Sequence, residues 1–187
     1  MDASAVDRLR SALAGTGWVE RAVHLATSLR SAPHDPGGLL LVGTPDDEPW
    51  HLAAHLDDEA RYAGAPALKP TLVRWAPPPG APPHLAVDLS RLEHVARGET
   101  LFVVAPDTPP ERLLERLADA RRGGATLLAL DGSGNADLGG LAHDALIVPA
   151  AAPSLDVLGH LVSAAAGLRP RRRWRRKSLD SGSTLQS

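Results

Sequence analysis

Three residues that can bind a metal recur at helical spacing in the first half of the chain. The segment WHLAAHLDDE places His51, His55 and Glu59 at successive intervals of four residues. On an α-helix these side chains lie on one face, where they can bind a divalent metal such as Zn²⁺, and His160 is a candidate further ligand. The alternative is a solvated polar face, since Leu52 stands where the zinc-protease motif has a glutamate.

Two loops are candidates for holding a phosphate, because ligands of parallel sheets bind at the carboxyl ends of strands. In GTPDDEP, Gly43 and Thr44 suit a phosphate, but the acids at 46–48 would repel it and favour a capping role. In APDTPPE, Asp107 and Thr108 are the polar candidates. Prolines at 106, 109 and 110 remove three backbone N–H donors there, which disfavours phosphate binding.

A third loop, DGSGNAD, contributes Ser133 as a candidate ligand residue, with an ordinary turn as the favoured alternative. The sequence contains no Rossmann glycine turn, no Walker-type glycine-lysine loop and no Gly-x-Ser-x-Gly elbow. Nothing in it therefore supports a dehydrogenase, a kinase or a serine hydrolase.

Helical and apolar segments alternate along the chain. Buried strands are predicted at 38–43, 71–75, 100–105, 125–130 and 145–149, with a further short strand at 85–88 as one alternative. Helices are predicted between them: one that Thr44 or Asp46 caps and Gly64 ends, one from Ser90 and one at 109–122. This alternation predicts an α/β fold, a three-layer doubly wound parallel sheet of about five strands.

Composition divides the chain of 187 residues into three parts. We predict N-terminal helices at 1–36, the α/β domain at 37–168 and a basic, disordered tail at 169–187. Residues 1–168 carry 13 basic and 21 acidic side chains, a net charge of −8. The absence of cysteine excludes disulfides and thiolate chemistry, and the absence of a long apolar run or a signal sequence favours a cytoplasmic protein without a membrane span.

The tail segment RRRWRRK carries six positive charges in seven residues. It is a candidate for binding nucleic acid, another anionic surface or a protein partner, and the alternative is a solubilising tail that folds back on the acidic body. RRKS also resembles a basophilic kinase site at Ser178. The candidate residues for an anionic partner are Arg171, Arg172, Arg173, Trp174, Arg175, Arg176 and Lys177.

The order of segments resembles a SIS (sugar isomerase) domain over about residues 18–167. The similarity is greatest in GETLFVVAPDTPPERLLERLADARRGGATLLALDGS and LAHDALIVP. The first half, from GLLLVGTPDDEPW onward, is similar to a small group of bacterial SIS-like proteins with degenerate phosphate loops. The resemblance implies a homo-oligomer, a dimer or larger, and a carbohydrate derivative as ligand.

The phosphate loop departs from the family pattern Ser-x-Ser-Gly-x-Thr-x-Glu. Aligned on residues 104–111, only Glu111 matches, Thr108 lies one position early and Asp107 replaces the glycine. We therefore expect a degenerate, non-catalytic module without a resident cofactor that binds a carbohydrate derivative or acts in regulation. The alternative is a metal-dependent sugar-phosphate isomerase, since phosphoheptose isomerases carry a metal-binding His and Glu at the spacing of His55 and Glu59.

Overall fold

The computed structural model describes Leu13 and residues 15–149 and 153–168. Its core is a five-stranded, all-parallel sheet in the order β2-β1-β3-β4-β5. The strands are β1 (Leu39–Val42), β2 (Pro70–Val73), β3 (Thr100–Ala105), β4 (Thr126–Asp131) and β5 (Asp144–Ile147). The fold class predicted from the sequence is confirmed, and the strand order reverses between β1 and β3.

Helices cover both faces of this sheet. They are α1 (Trp18–Ser31), α2 (Trp50–Ala63), α3 (Glu111–Arg122), α4 (Ala136–Leu141) and α5 (Leu155–Gly167). One apolar cluster joins α1, α2 and α5 to one face of the sheet, and a second joins α3 and α4 to the other. Alternate residues of each strand enter different clusters, because successive side chains of a strand point to opposite faces: Phe102 and Val104 lie on the α2 side, Leu101 and Val103 on the α3 side.

Several local predictions were wrong. The helix predicted from Ser90 is a 3-10 segment, Leu89–His94, and the strand predicted at 85–88 does not form, since Leu85 ends another 3-10 segment, Pro83–Leu85. Only Asp88 pairs with the sheet there, through an isolated bridge to Arg74. Helix α2 begins after Pro49 without a side-chain cap, so neither Thr44 nor Asp46 caps it. The predicted end is confirmed, since Gly64 takes the left-handed conformation.

The sheet packs closely against the turn that leads into α2. A Cβ on Gly43 would overlap the carbonyl oxygen of Asp47 and would lie 2.6 Å from Cδ of Pro49. Only glycine therefore fits between the end of β1 and this turn. The turn fixes where α2 begins, and thus where the first residues of that helix lie above the sheet. No described helix has the length and apolar character needed to cross a membrane.

Candidate functional site

Helices α2 and α5 pack side by side on the same face of the sheet, and both begin at its carboxyl edge. His51 of α2 contacts Asp156 of α5, and one turn further along His55 contacts His160, which shows that the helices run in the same direction. Gly159 lies between them, where a Cβ would make ordinary van der Waals contact with Leu52 and Leu130 at 3.8 Å. The first turns of α2 and α5 thus meet above strands β3 and β4.

Three histidines converge where these helices meet, and we call them the histidine cluster: His51, His55 and His160. One ring nitrogen of each lies within 4.8 Å of the other two. The Nε2 atoms of His51 and His55 are 3.1 Å apart. Two nitrogens bound to one tetrahedral zinc at their usual distances lie roughly 3.3 Å apart, so this pair already has the spacing of zinc ligands.

Without a metal, the distance of 3.1 Å between the two Nε2 atoms is that of an imidazole N–H to nitrogen hydrogen bond. Such a bond accounts for two of the three rings. It does not explain His160, whose ring centroid lies 4.6 Å from that of His51 and 4.3 Å from that of His55. Three imidazole nitrogens within 4.8 Å of one another are a set that one metal ion can bind.

Asp156 lies beside the cluster in the first turn of α5. Its Oδ1 atom is 3.2 Å from Nδ1 of His51, and its Oδ2 atom is 3.6 Å from Nε2 of His160. A carboxylate that accepts a hydrogen bond from Nδ1–H holds the imidazole in the tautomer whose Nε2 is free to bind a metal. Asp156 is therefore placed to orient His51.

The environment of His160 favours its neutral form. Its partial burial lowers its pKa below the ordinary value, the neighbouring His55 and His51 lower it further, and the carboxylate of Asp156 acts in the opposite direction. A metal binds only neutral imidazole. The packing of the cluster therefore keeps His160 available as a ligand at a lower pH than an exposed histidine would be.

A cavity of about 120 Å³ opens below the histidine cluster. Its floor consists of Val104 and Leu130, the residues next to the carboxyl ends of β3 and β4. Its walls come from the start of α2 and the start of α5, and its rim carries carboxylates. The lining residues are Asp47, Glu48, Pro49, Trp50, His51, Leu52, His55, Val104, Leu130, Leu155, Asp156, Gly159 and His160.

Glu59, the third residue of the predicted metal motif, does not lie among the grouped ligand atoms of the histidine cluster. Its carboxylate packs against the far end of α5, where a Cβ on Gly167 would overlap it. Of the predicted motif, His51 and His55 therefore join His160, and Glu59 does not. The signal that could have favoured His51 was an acid one position into the last helix, Asp156, but only the packing of α2 on α5 brings the two together.

The other predicted ligand residues lie elsewhere along the carboxyl edge. Thr44 is buried, and its Oγ1 atom has no hydrogen-bond partner within the described part of the chain. Asp107 and Thr108 are exposed in the loop before α3. Ser133 donates from its backbone N–H and its hydroxyl to Oδ1 of Asp131, which is the ordinary turn that the sequence favoured. None of these residues lines the cavity.

The candidate residues of the basic tail, at 171–177, and Ser178 lie outside the described residues. No family model matches the chain, and no curated protein matches it. The SIS resemblance therefore stays a prediction that rests on the segments quoted above. The histidine cluster and the cavity beneath it are the features of the described structure from which a function can be argued.

Proposed function

We propose that this domain binds a divalent metal, Zn²⁺, through His51, His55 and His160, and holds a small carbohydrate derivative in the adjoining cavity. The observation that carries the proposal is the histidine cluster at the cavity mouth. Three imidazole nitrogens are the ligand set of zinc sites that keep a fourth position open. That open position would face the cavity beneath the cluster.

The second candidate function is isomerisation of a sugar phosphate at the same metal. The position of His55 on the helix after the first strand favours it, because phosphoheptose isomerases have a metal-binding histidine there. Two observations count against it. The loop that would hold the phosphate exposes Asp107 and Thr108 and has three prolines, and Glu59 is not near the cluster. We therefore favour a binding module over an isomerase.

The test is to titrate Zn²⁺ into the metal-depleted protein and to measure binding by calorimetry. We expect one site per chain. His55→Ala should weaken binding at least about a hundredfold, since even residues that only support a ligand cost ten- to a hundredfold. His84→Ala is the matched control, because His84 is exposed in the 3-10 segment Pro83–Leu85, outside the cluster, and should leave the affinity unchanged.

Equal affinity in the His55→Ala and His84→Ala proteins would overturn the proposed site. The isomerase alternative is tested on the same proteins with a ketose phosphate as substrate. Turnover by the zinc-loaded protein that is lost in His55→Ala would favour the enzyme over the binding module. Absence of turnover together with tight zinc binding would favour the module.

A further inference from the structure

The chain has only 3% aromatic residues, yet two of its four tryptophans lie beside the turn that leads into α2. Glu48 organises this region. Its carboxylate accepts hydrogen bonds from Nε1 of Trp50 at 3.0 Å, from Nε of Arg74 at 3.0 Å and from the backbone N–H of Trp75 at 2.9 Å. The Glu48–Arg74 pair is largely shielded from solvent. One carboxylate thus fixes both aromatic residues and the arginine between them.

Trp50 borders the cavity next to His51. The guanidinium of Arg74 lies over its ring, 4.5 Å from the centroid, while 40% of the residue stays exposed. An exposed tryptophan is usually mobile, but here the N–H and the ring are both held. A ring fixed in advance costs little conformational entropy when a ligand stacks on it.

The charges around the cavity point to a neutral ligand. Its lining residues include no lysine or arginine. Glu48 is neutralised by Arg74, so the carboxylates of Asp47 and Asp156 are those that remain. Together they balance the charge of one Zn²⁺ bound to neutral imidazoles. A phosphate dianion would add two negative charges that no cation at this site offsets.

The cavity combines an apolar surface with a proposed metal site that can bind ligand oxygen atoms. Val104 and Leu130 form an apolar floor, Leu155 adds an apolar wall, and the histidine cluster lies at the mouth. A ligand that fits both must have one apolar face and an edge of oxygen atoms. A sugar ring has this character, because its axial C–H groups form a face that stacks on aromatic rings, while its hydroxyls lie around the edge.

We propose that a neutral, unphosphorylated sugar ring binds at the mouth of the cavity, stacks on Trp50 and directs hydroxyl oxygens to the metal. This inference rests on the proposed zinc site, and it specifies the carbohydrate derivative as an uncharged ring. Trp50 acts as the platform that selects a ring over an open-chain polyol.

The experiment is calorimetry of the zinc-loaded full chain with glucose, mannose, galactose and xylose, each compared with glucose 6-phosphate and with sorbitol. We expect at least one neutral sugar to bind only when zinc is present, and to bind at least about tenfold more tightly than sorbitol. Trp50→Ala should weaken sugar binding about tenfold, and Trp50→Phe, which retains a ring, by no more than about threefold. Tyr62→Ala is the matched control, since Tyr62 is an exposed aromatic residue at the other end of α2.

Zinc affinity is measured first on every variant, which confirms that it folds and separates the two proposals. If zinc does not bind, the proposed function and this inference both fail. If zinc binds but none of the four sugars does, only the inference fails. Tighter binding of glucose 6-phosphate than of the neutral sugars, equal binding of sorbitol, or an unchanged sugar affinity in Trp50→Ala would each overturn it.

Discussion

The carboxyl edge of the sheet carries two regions with opposite designs. In the histidine cluster, side chains from α2 and α5 converge on one point above the cavity. In the loop between β3 and α3, Asp107 and Thr108 are exposed, and neither lines that cavity. Position at a sheet edge is therefore not sufficient for a site. A site also needs donors that are fixed by packing and directed at a common point.

The two regions also differ in what their sequences allow. The loop between β3 and α3 contains three prolines, which fix the backbone but remove the N–H groups that would bind an anion. The turn before α2 instead uses Gly43 for close packing and Glu48 for three hydrogen bonds. Both segments have a rigid backbone. Only the turn before α2 also holds side chains that could bind a ligand.

The strongest test of this comparison is Gly43→Ala, at the turn that positions α2. The added methyl group has no space between the Asp47 carbonyl and Pro49, so we expect a loss of about 3 kcal/mol in the free energy of unfolding. Urea denaturation measures it. Gly139→Ala is the control, because a Cβ there meets nothing within 4 Å and alanine favours the helix by up to about 1 kcal/mol. Equal stability of the two variants would show that the turn is not tightly packed.

Asp156→Asn tests whether the cluster depends on its supporting carboxylate. An amide does not hold the His51 imidazole as a charged carboxylate does, so we expect Zn²⁺ affinity to fall at least about tenfold, or about 1.4 kcal/mol. Asp137→Asn is the control, since Asp137 likewise lies in the first turn of a helix, α4, but outside the cavity lining. An unchanged zinc affinity in Asp156→Asn would indicate that the carboxylate is only a surface acid.

The same variant has a pH signature in the metal-free protein. Of the described groups around His160, the carboxylate of Asp156 raises its pKa, so removal of that charge should lower the pKa of His160 further. A histidine whose folded pKa is depressed binds protons less readily than in the unfolded chain. Its contribution to stability is therefore complete above the ordinary pKa of about 6.5 and is lost as the pH falls through the folded value. Asp156→Asn should lose more stability than wild type between neutral and acidic pH.

Most of the sheet could be predicted from the sequence. The strand predicted at 100–105 is β3, Thr100–Ala105, because a continuous apolar run bounded by glycine and proline has few other structures. The region at 85–94 was mispredicted as strand and helix. The prolines at 82 and 83 and the short apolar periodicity favour 3-10 turns there. A pattern of apolar and polar residues over so few positions does not distinguish such turns from a short strand or α-helix.

The candidate site was only half predictable. The spacing of His51 and His55 placed both on one helix face, as observed, and His160 was recognised only as a possible neighbour. The spacing also predicted Glu59 as a metal ligand. That residue is two helical turns beyond His51 and lies against the end of α5 instead. The packing of α2 and α5 on the sheet determines which helical turns of the two helices contact each other. The local sequence of either helix does not predict that alignment.

The smallest expected effect, and the one most specific to the comparison, comes from Thr108→Ala in the proline-containing loop. Thr108 is exposed, so the free energy of unfolding should change by less than about 0.5 kcal/mol, with zinc affinity unchanged.

Thermal denaturation with and without glucose 6-phosphate is the more discriminating measurement. A ligand at a hundred times its dissociation constant stabilises a protein by about 2.7 kcal/mol. If the sugar phosphate stabilises the wild type to that extent and Thr108→Ala abolishes the effect, the loop does bind phosphate, because no other group in the variant has changed. If neither protein responds, the prolines have removed the donors that a phosphate needs, and the ligand chemistry of this edge belongs to the histidine cluster.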